Sequence, residues 1–213
     1  MSIIEFPNRK SSKIKNFSLD ELAELIKTLY EQTNYACNCY YIGSRLYTNL
    51  SKYDELNDKW YIFALNSLDD NMILILIKLY NDQDNEISLY NILNYLSIDV
   101  NFNNLFLTEE DKEKFKKYIN EYNVKYSKLR KKLIIRRNNW QVHINSLILD
   151  KTKFEQLISL TQKECFDLLY YALHTLRKVY KLLFNKDLPL ENHYSAFTQI
   201  DKYIALLDKN GDL

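Results

Sequence analysis

Apolar residues along this chain recur every three or four positions rather than alternately, and that period predicts helices almost throughout. Leu22, Leu25, Ile26 and Leu29 share one face, and Ser18 with Glu21 forms a Ser-x-x-Glu capping signature just before them. A first helix is expected from there to about Leu50, with Gly43 either tolerated inside it or marking a break. The polar stretch Ser51 to Asp58 separates it from a second helix, Lys59 to Tyr80. Ile73, Leu74, Ile75, Leu76 and Ile77 make that helix apolar nearly all round, which predicts a central, buried position. After a polar turn, Asn81 to Glu86, Ser88 can cap a short helix carrying Leu89, Ile92, Leu93 and Leu96. Asp99 to Phe106 reads as a loop. Thr108 with Asp111 then starts a helix expected to run as far as Asn145. A long helix is expected over Thr152 to Phe184, and a final one over Pro189 to Leu207.

No strand-like alternation is sustained over neighbouring segments, and there is no repeat, low-complexity tract or linker. The expectation is an all-α bundle of about five to seven helices forming one domain over 1–213, with 1–17 a flexible N-terminal segment. Two glycines and two prolines in 213 residues agree with long helices and few tight turns.

Charge and cysteine content narrow the setting. Lys+Arg 29 against Asp+Glu 28 leaves a net charge of +1. A dedicated duplex binder carries a larger basic excess, so any nucleic-acid contact is expected to be local. Cys37, Cys39 and Cys165 form no metal-ligand pattern and read as free thiols in a reducing compartment. The first residues lack the apolar core of a signal peptide, and no apolar run reaches membrane-spanning length. A cytoplasmic protein without a membrane partner is expected. The 18 tyrosines, with abundant Asn, Lys and Ile, fit an AT-rich genome better than a dedicated stacking role.

Most familiar chemistries find no support. The two glycines cannot form a phosphate loop, and no His-x-x-x-His or Cys-x-x-Cys pair suggests zinc. No cofactor and no metal are expected. His174 and His193 read as surface or satisfied histidines. Glu109, Glu110 and Asp111 fall in a helix first turn, where negative charge is favoured.

The stretch Leu129 to Asn145, LRKKLIIRRNNWQVHIN, stands apart. Arg136 and His143 are seven residues apart and so lie on nearly the same face of a helix, with Arg137 and His143 about 120° apart. An arginine can hold a phosphoryl oxygen, and a histidine can move a proton on or off a ribose 2′-hydroxyl or a leaving 5′-oxygen. DNA lacks that hydroxyl, so such a site selects RNA. The same residues also fit a solvated basic face of Lys131, Lys132, Arg136 and Arg137, with Trp140 in the core and His143 near a helix end.

Arg137-Asn138, four further residues and then His143 resemble the Arg-x(4–6)-His motif of the HEPN superfamily, in which a polar residue often follows the arginine. The order of segments is similar to that of the abortive-infection (Abi-U type) HEPN group. Those segments are DDNMILILIKLY (69–80), ISLYNIL (87–93), the RNNWQVH motif, a long helix and a short terminal one. The resemblance covers about Ser18 to Leu207. The motif closes here as Val142-His143-Ile144-Asn145, where the pattern has Ala-His-x-Asp.

The resemblance implies an antiparallel HEPN-like bundle and a metal-independent endoribonuclease of a toxin–antitoxin or phage-defence system. The composite active site would lie at a homodimer interface. On that model His143 transfers protons, Arg137 stabilises the phosphoryl group, Asn138 orients them, and Arg136 is a further phosphate contact. RNA is the substrate, and a cognate antitoxin or nucleotidyltransferase is the further partner implied. Some members bind RNA or a protein partner without cutting, which is the alternative reading. A third is an unrelated helical interaction protein in which the Arg-His spacing is accidental.

Overall fold

Six helices, and no strand among the described residues, make this an all-α bundle within the expected range of helix number. The structure, a computed structural model, describes residues 17–50, 59–81, 87–98, 107–141 and 159–189, and at 49–50, 59–61 and 137–141 the backbone alone. The N-terminal segment and the expected helix after Pro189 lie outside these residues, as do the expected turn at 82–86 and loop at 99–106.

Helix α1 (Leu19–Leu50) begins where the capping signature places it. The Ser18 backbone N–H donates to Glu21 Oε2 at 2.8 Å, and the Glu21 N–H donates to Ser18 Oγ at 3.2 Å. Gly43 sits inside the helix without breaking it, close beside Leu68 of α2 (Lys59–Leu79). Helix α3 (Leu89–Ser97) is capped by Ser88, whose hydroxyl accepts the Asn91 N–H. Helix α4 (Glu109–Lys125) opens with a full capping box between Thr108 and Asp111.

Three expectations need correction. The single helix from Thr108 to Asn145 is two, α4 and α5 (Ser127–Gln141), broken at Tyr126. The Tyr126 ring is buried against Tyr171 at 4.6 Å, and its backbone leaves the helical region at φ −109, ψ 4. The break thus coincides with the burial of one aromatic ring, with no glycine or proline at it. The long helix expected from Thr152 is not continuous: 159–161 lie outside any helix, and α6 (Gln162–Phe184) starts at Gln162, where Thr161 and Glu164 form a capping box, while 152–158 lie outside the described residues. Asn185 ends α6 in the left-handed conformation, φ 51. Helix α2, finally, is not buried all round. Met72, Ile73, Leu76, Ile77 and Leu79 are buried, whereas Ile62, Phe63 and Leu74 are exposed.

Helix α1 packs chiefly on α2 and α6, and α3 packs on α4. Tyr40 meets Phe166 near the start of α6, whereas the Tyr30 hydroxyl donates to the Pro189 carbonyl beyond its end, so α1 and α6 run antiparallel. Tyrosines join the layers. The Tyr80 and Tyr122 rings stack at 5.5 Å; Tyr80 Oη donates to the Leu168 carbonyl at 2.6 Å and Tyr122 Oη to the Tyr80 carbonyl at 3.0 Å. Tyr171 Oη donates to the Tyr118 carbonyl at 2.8 Å. Each ring removes a large apolar area from water while its hydroxyl keeps a partner. Beyond any genomic bias, these tyrosines build the core.

Candidate functional site

Helix α5 reads SKLRKKLIIRRNNWQ, with six cations and no carboxylate. Such a helix repels itself unless other elements supply counter-charge. Here α2 and α6 supply it. Leu133 is buried and seats the helix. One position before it, Lys132 Nζ donates to both carboxylate oxygens of Glu164 at 2.9 and 3.2 Å. One turn further, Arg136 Nη2 lies 3.4 Å from Asp69 Oδ2 and 3.9 Å from Asp70 Oδ1. On the other side, the Arg130 guanidinium lies over the Tyr90 and Tyr122 rings at 5.7 and 5.8 Å. The basic face is thus only partly solvated: Lys131 is exposed, while Lys132 and Arg136 are held.

Glu164 serves two elements at once. Its Oε2 also accepts the Thr161 N–H at 2.8 Å, closing the cap of α6. Burial acts to raise its pKa, but the Thr161 and Lys132 hydrogen bonds outweigh that and hold it below the ordinary carboxylate value. Beside it, burial and the Asp69 charge push the Cys165 thiol up to about 12, against the pull of Arg136. The Cys165 sulfur stays protonated, a small apolar group under the ion pairs rather than a nucleophile. Cys37, Cys39 and Cys165 are all buried and free.

The four sequence-derived site residues fare differently. Arg136 is placed against α2, on Asp69 and Asp70, carboxylates 67 and 66 residues away that no local pattern pairs with it. Arg137 and Asn138 follow on the same helix backbone, which stays helical through Gln141; position 137 lies about 100° round from 136. Nothing beyond the backbone is described there, and His143, Trp140's side chain, Asn145 and His193 lie outside the described residues. No group of three or more His, Cys, Asp or Glu among the described residues could hold a metal ion. No described helix is long and apolar enough to cross a membrane.

Two features escaped the sequence reading. Asp69 and Asp70 open the segment DDNMILILIKLY, but nothing in sequence brings α2 beside α5. The exposed rings of α6, Phe166, Tyr170 and His174, recur at intervals of four, a periodicity visible in sequence.

The fold and this site define a helical-bundle protein with an anchored cationic helix. Comparison with family models, curated proteins and solved structures finds no match.

Proposed function

We propose that the protein is a metal-independent endoribonuclease of a toxin–antitoxin or phage-defence system, HEPN-like in fold, with a composite site at a homodimer interface. The observation that carries this reading is the motif helix. Arg136, Arg137 and Asn138 occupy consecutive positions of a carboxylate-free helix that is fixed to its neighbours through Lys132 and Arg136. A helix held in this way, with Lys132 on Glu164 as the anchor that persists, offers position 137 from a backbone already in place.

In the reaction, His143 takes the proton of a ribose 2′-hydroxyl as its oxygen attacks phosphorus. The phosphorus–O5′ bond breaks, and an imidazolium returns a proton to the 5′-oxygen. Arg137 stabilises the crowded phosphoryl oxygens, supplying the positive charge that a cation supplies elsewhere. Asn138 hydrogen-bonds to orient the pair. Arg136 joins as a phosphate contact by exchanging Asp69, whose contact is long and half open to water.

The test is RNA cleavage by purified protein in EDTA. Cutting should persist and leave a 2′,3′-cyclic phosphate and a 5′-hydroxyl. His143→Ala should lower the rate by about 10²–10⁴, the usual worth of general acid–base catalysis. Arg137→Ala should weaken both binding and cleavage. Equal cutting by His143→Ala and the parent would sink the assignment.

Asn145 favours a second reading, a non-catalytic RNA-binding or protein-interaction partner in such a system. An amide there cannot charge the imidazole as the carboxylate of the family pattern does. RNA binding without cleavage by the parent protein would select it.

A further inference from the structure

The outward face of α6 carries a row of aromatic rings that the core does not use. Phe166, Tyr170 and His174 follow one another at intervals of four residues, so they line one side of the helix. Phe166 and Tyr170 lie 6.0 Å apart with planes 21° from parallel, and Tyr170 and His174 lie 5.8 Å apart with planes 12° from parallel. Tyr170 is 60% exposed and Phe166 37%. Tyr40 of α1 extends the row, 5.8 Å from Phe166. Ring pairs four apart add only slightly to the stability of a helix, little return for a ring as open to water as Tyr170.

The charge on the same face is lopsided. Lys163, Arg177 and Lys178 flank the rings, and Asp167 is the one carboxylate of α6 among them; Lys181, further along, is matched by Asp187 at 3.0 Å. Lys178 also lies over the Tyr118 ring at 5.8 Å. Burial, then Lys178 and Arg177, lower the pKa of His174, which keeps its imidazole a neutral aromatic ring at neutral pH. Rings in a row edged by cations match a strand whose bases are unpaired and whose phosphates run alongside. Stacking on such rings is tolerant of base identity, because every base has a π-face.

We infer that the Phe166–Tyr170–His174 face of α6 is a binding surface for single-stranded nucleic acid, with bases on the rings and phosphates on Lys163, Arg177 and Lys178. This does not depend on cleavage. It needs neither His143 nor a 2′-hydroxyl.

The probes are fluorescein-labelled oligo(U) and oligo(dT) of about 12 nucleotides, within the span of small single-strand sites, and an RNA duplex of equal length. Anisotropy titrations use the full chain carrying His143→Ala, so that no probe is cut. Tyr170→Ala should raise Kd about tenfold, as loss of one base–ring stack does, and Tyr170→Phe should restore it. Lys163→Glu with Lys178→Glu should flatten the salt dependence, which in the parent should reach roughly tenfold between about 50 and 200 mM salt. Tyr170 projects into water, so circular dichroism of its variants should match the parent. Binding of both single strands, with loss on Tyr170→Ala, supports the surface, and binding of oligo(U) alone counts against it. Three further results overturn it: equal affinity of parent and Tyr170→Ala, equal affinity for duplex and single strand, or a Tyr170→Ala change confined to the mass in solution. The last would make the rings a contact between copies. Ring-dependent binding by a parent protein that never cuts RNA would fell the nuclease reading and leave this one standing. Cleavage by a protein whose oligonucleotide affinity is unchanged by Tyr170→Ala would do the reverse.

Discussion

Cys165 shows what a site residue can be without chemistry. Its thiol lies beneath the contacts of Glu164, Lys132, Asp69 and Arg136, and burial first, Asp69 second, raise its pKa to about 12. The ordinary thiol value is 9.0. A group whose pKa is raised by folding stabilises the native state fully below its unfolded pKa, and that stabilisation is lost as pH rises toward the folded value. The window here runs from about pH 9 to about pH 12. Tyr80 and Tyr171, also raised by burial, act in the same direction at the upper end. The unfolding free energy from urea titration should therefore be level up to about pH 8.5 and fall above about pH 9, by roughly 1 kcal/mol per pH unit from Cys165 alone, with the midpoint falling in step. Cys165→Ala should begin lower but decline less steeply between about pH 9 and 10. A parent midpoint that holds level to about pH 10.5 would contradict the burial argument. The same pKa makes Cys165 inert to alkylation in the native state near pH 8, as a thiol with almost no thiolate must be.

At the scale of elements, the starts of α1, α3 and α4 were legible because each is written locally. Ser18 with Glu21, Ser88, and Thr108 with Asp111 place side-chain acceptors where free N–H groups need them. Thr161 with Glu164 is the same local signal at α6, and it places the helix start later than Thr152. The break at Tyr126 is of another kind: it coincides with packing on Tyr171, 45 residues away in sequence, and no local pattern carries it. Arg136 was legible as a cation but not as the partner of Asp69 and Asp70, for the same reason. Gly43 tests how far local rules reach. A Cβ there would meet Leu68 Cβ at 3.9 Å, ordinary contact rather than a clash. Helical glycine costs about 1 kcal/mol relative to alanine. Gly43→Ala should therefore stabilise the protein by about 0.5–1 kcal/mol, raising the urea midpoint with an unchanged slope. A loss of stability would mean that α1 and α2 approach more closely than this contact allows.

For the whole molecule, the question is whether two copies can bring their α5 helices together, as a composite site of Arg137, Asn138 and His143 requires. Like-charged helices side by side repel, and α5 has six cations. That repulsion is reduced from within. Glu164 lies against Lys132, and Asp69 and Asp70 lie against Arg136, so two of the six arrive with their counter-charge. Arg130 lies over two tyrosine rings, which partly offset its charge. Lys128 and Lys131 are exposed, where salt screens them, since the Debye length is about 10 Å at 0.1 M. A two-fold dimer, the commonest symmetric assembly, should then have an uncommon salt response. Light scattering at micromolar concentration should give twice the chain mass of 25.6 kDa. Raising salt from about 50 to about 500 mM should keep or tighten the dimer, where a dimer held by ion pairs would loosen. Asp69→Asn with Asp70→Asn removes the counter-charge from Arg136 and should shift the protein toward monomer at low salt, with high salt restoring the dimer. A monomeric mass under every condition would remove the basis for a composite site. A dimer indifferent to both salt and the Asp69 and Asp70 substitutions would place its interface away from α5.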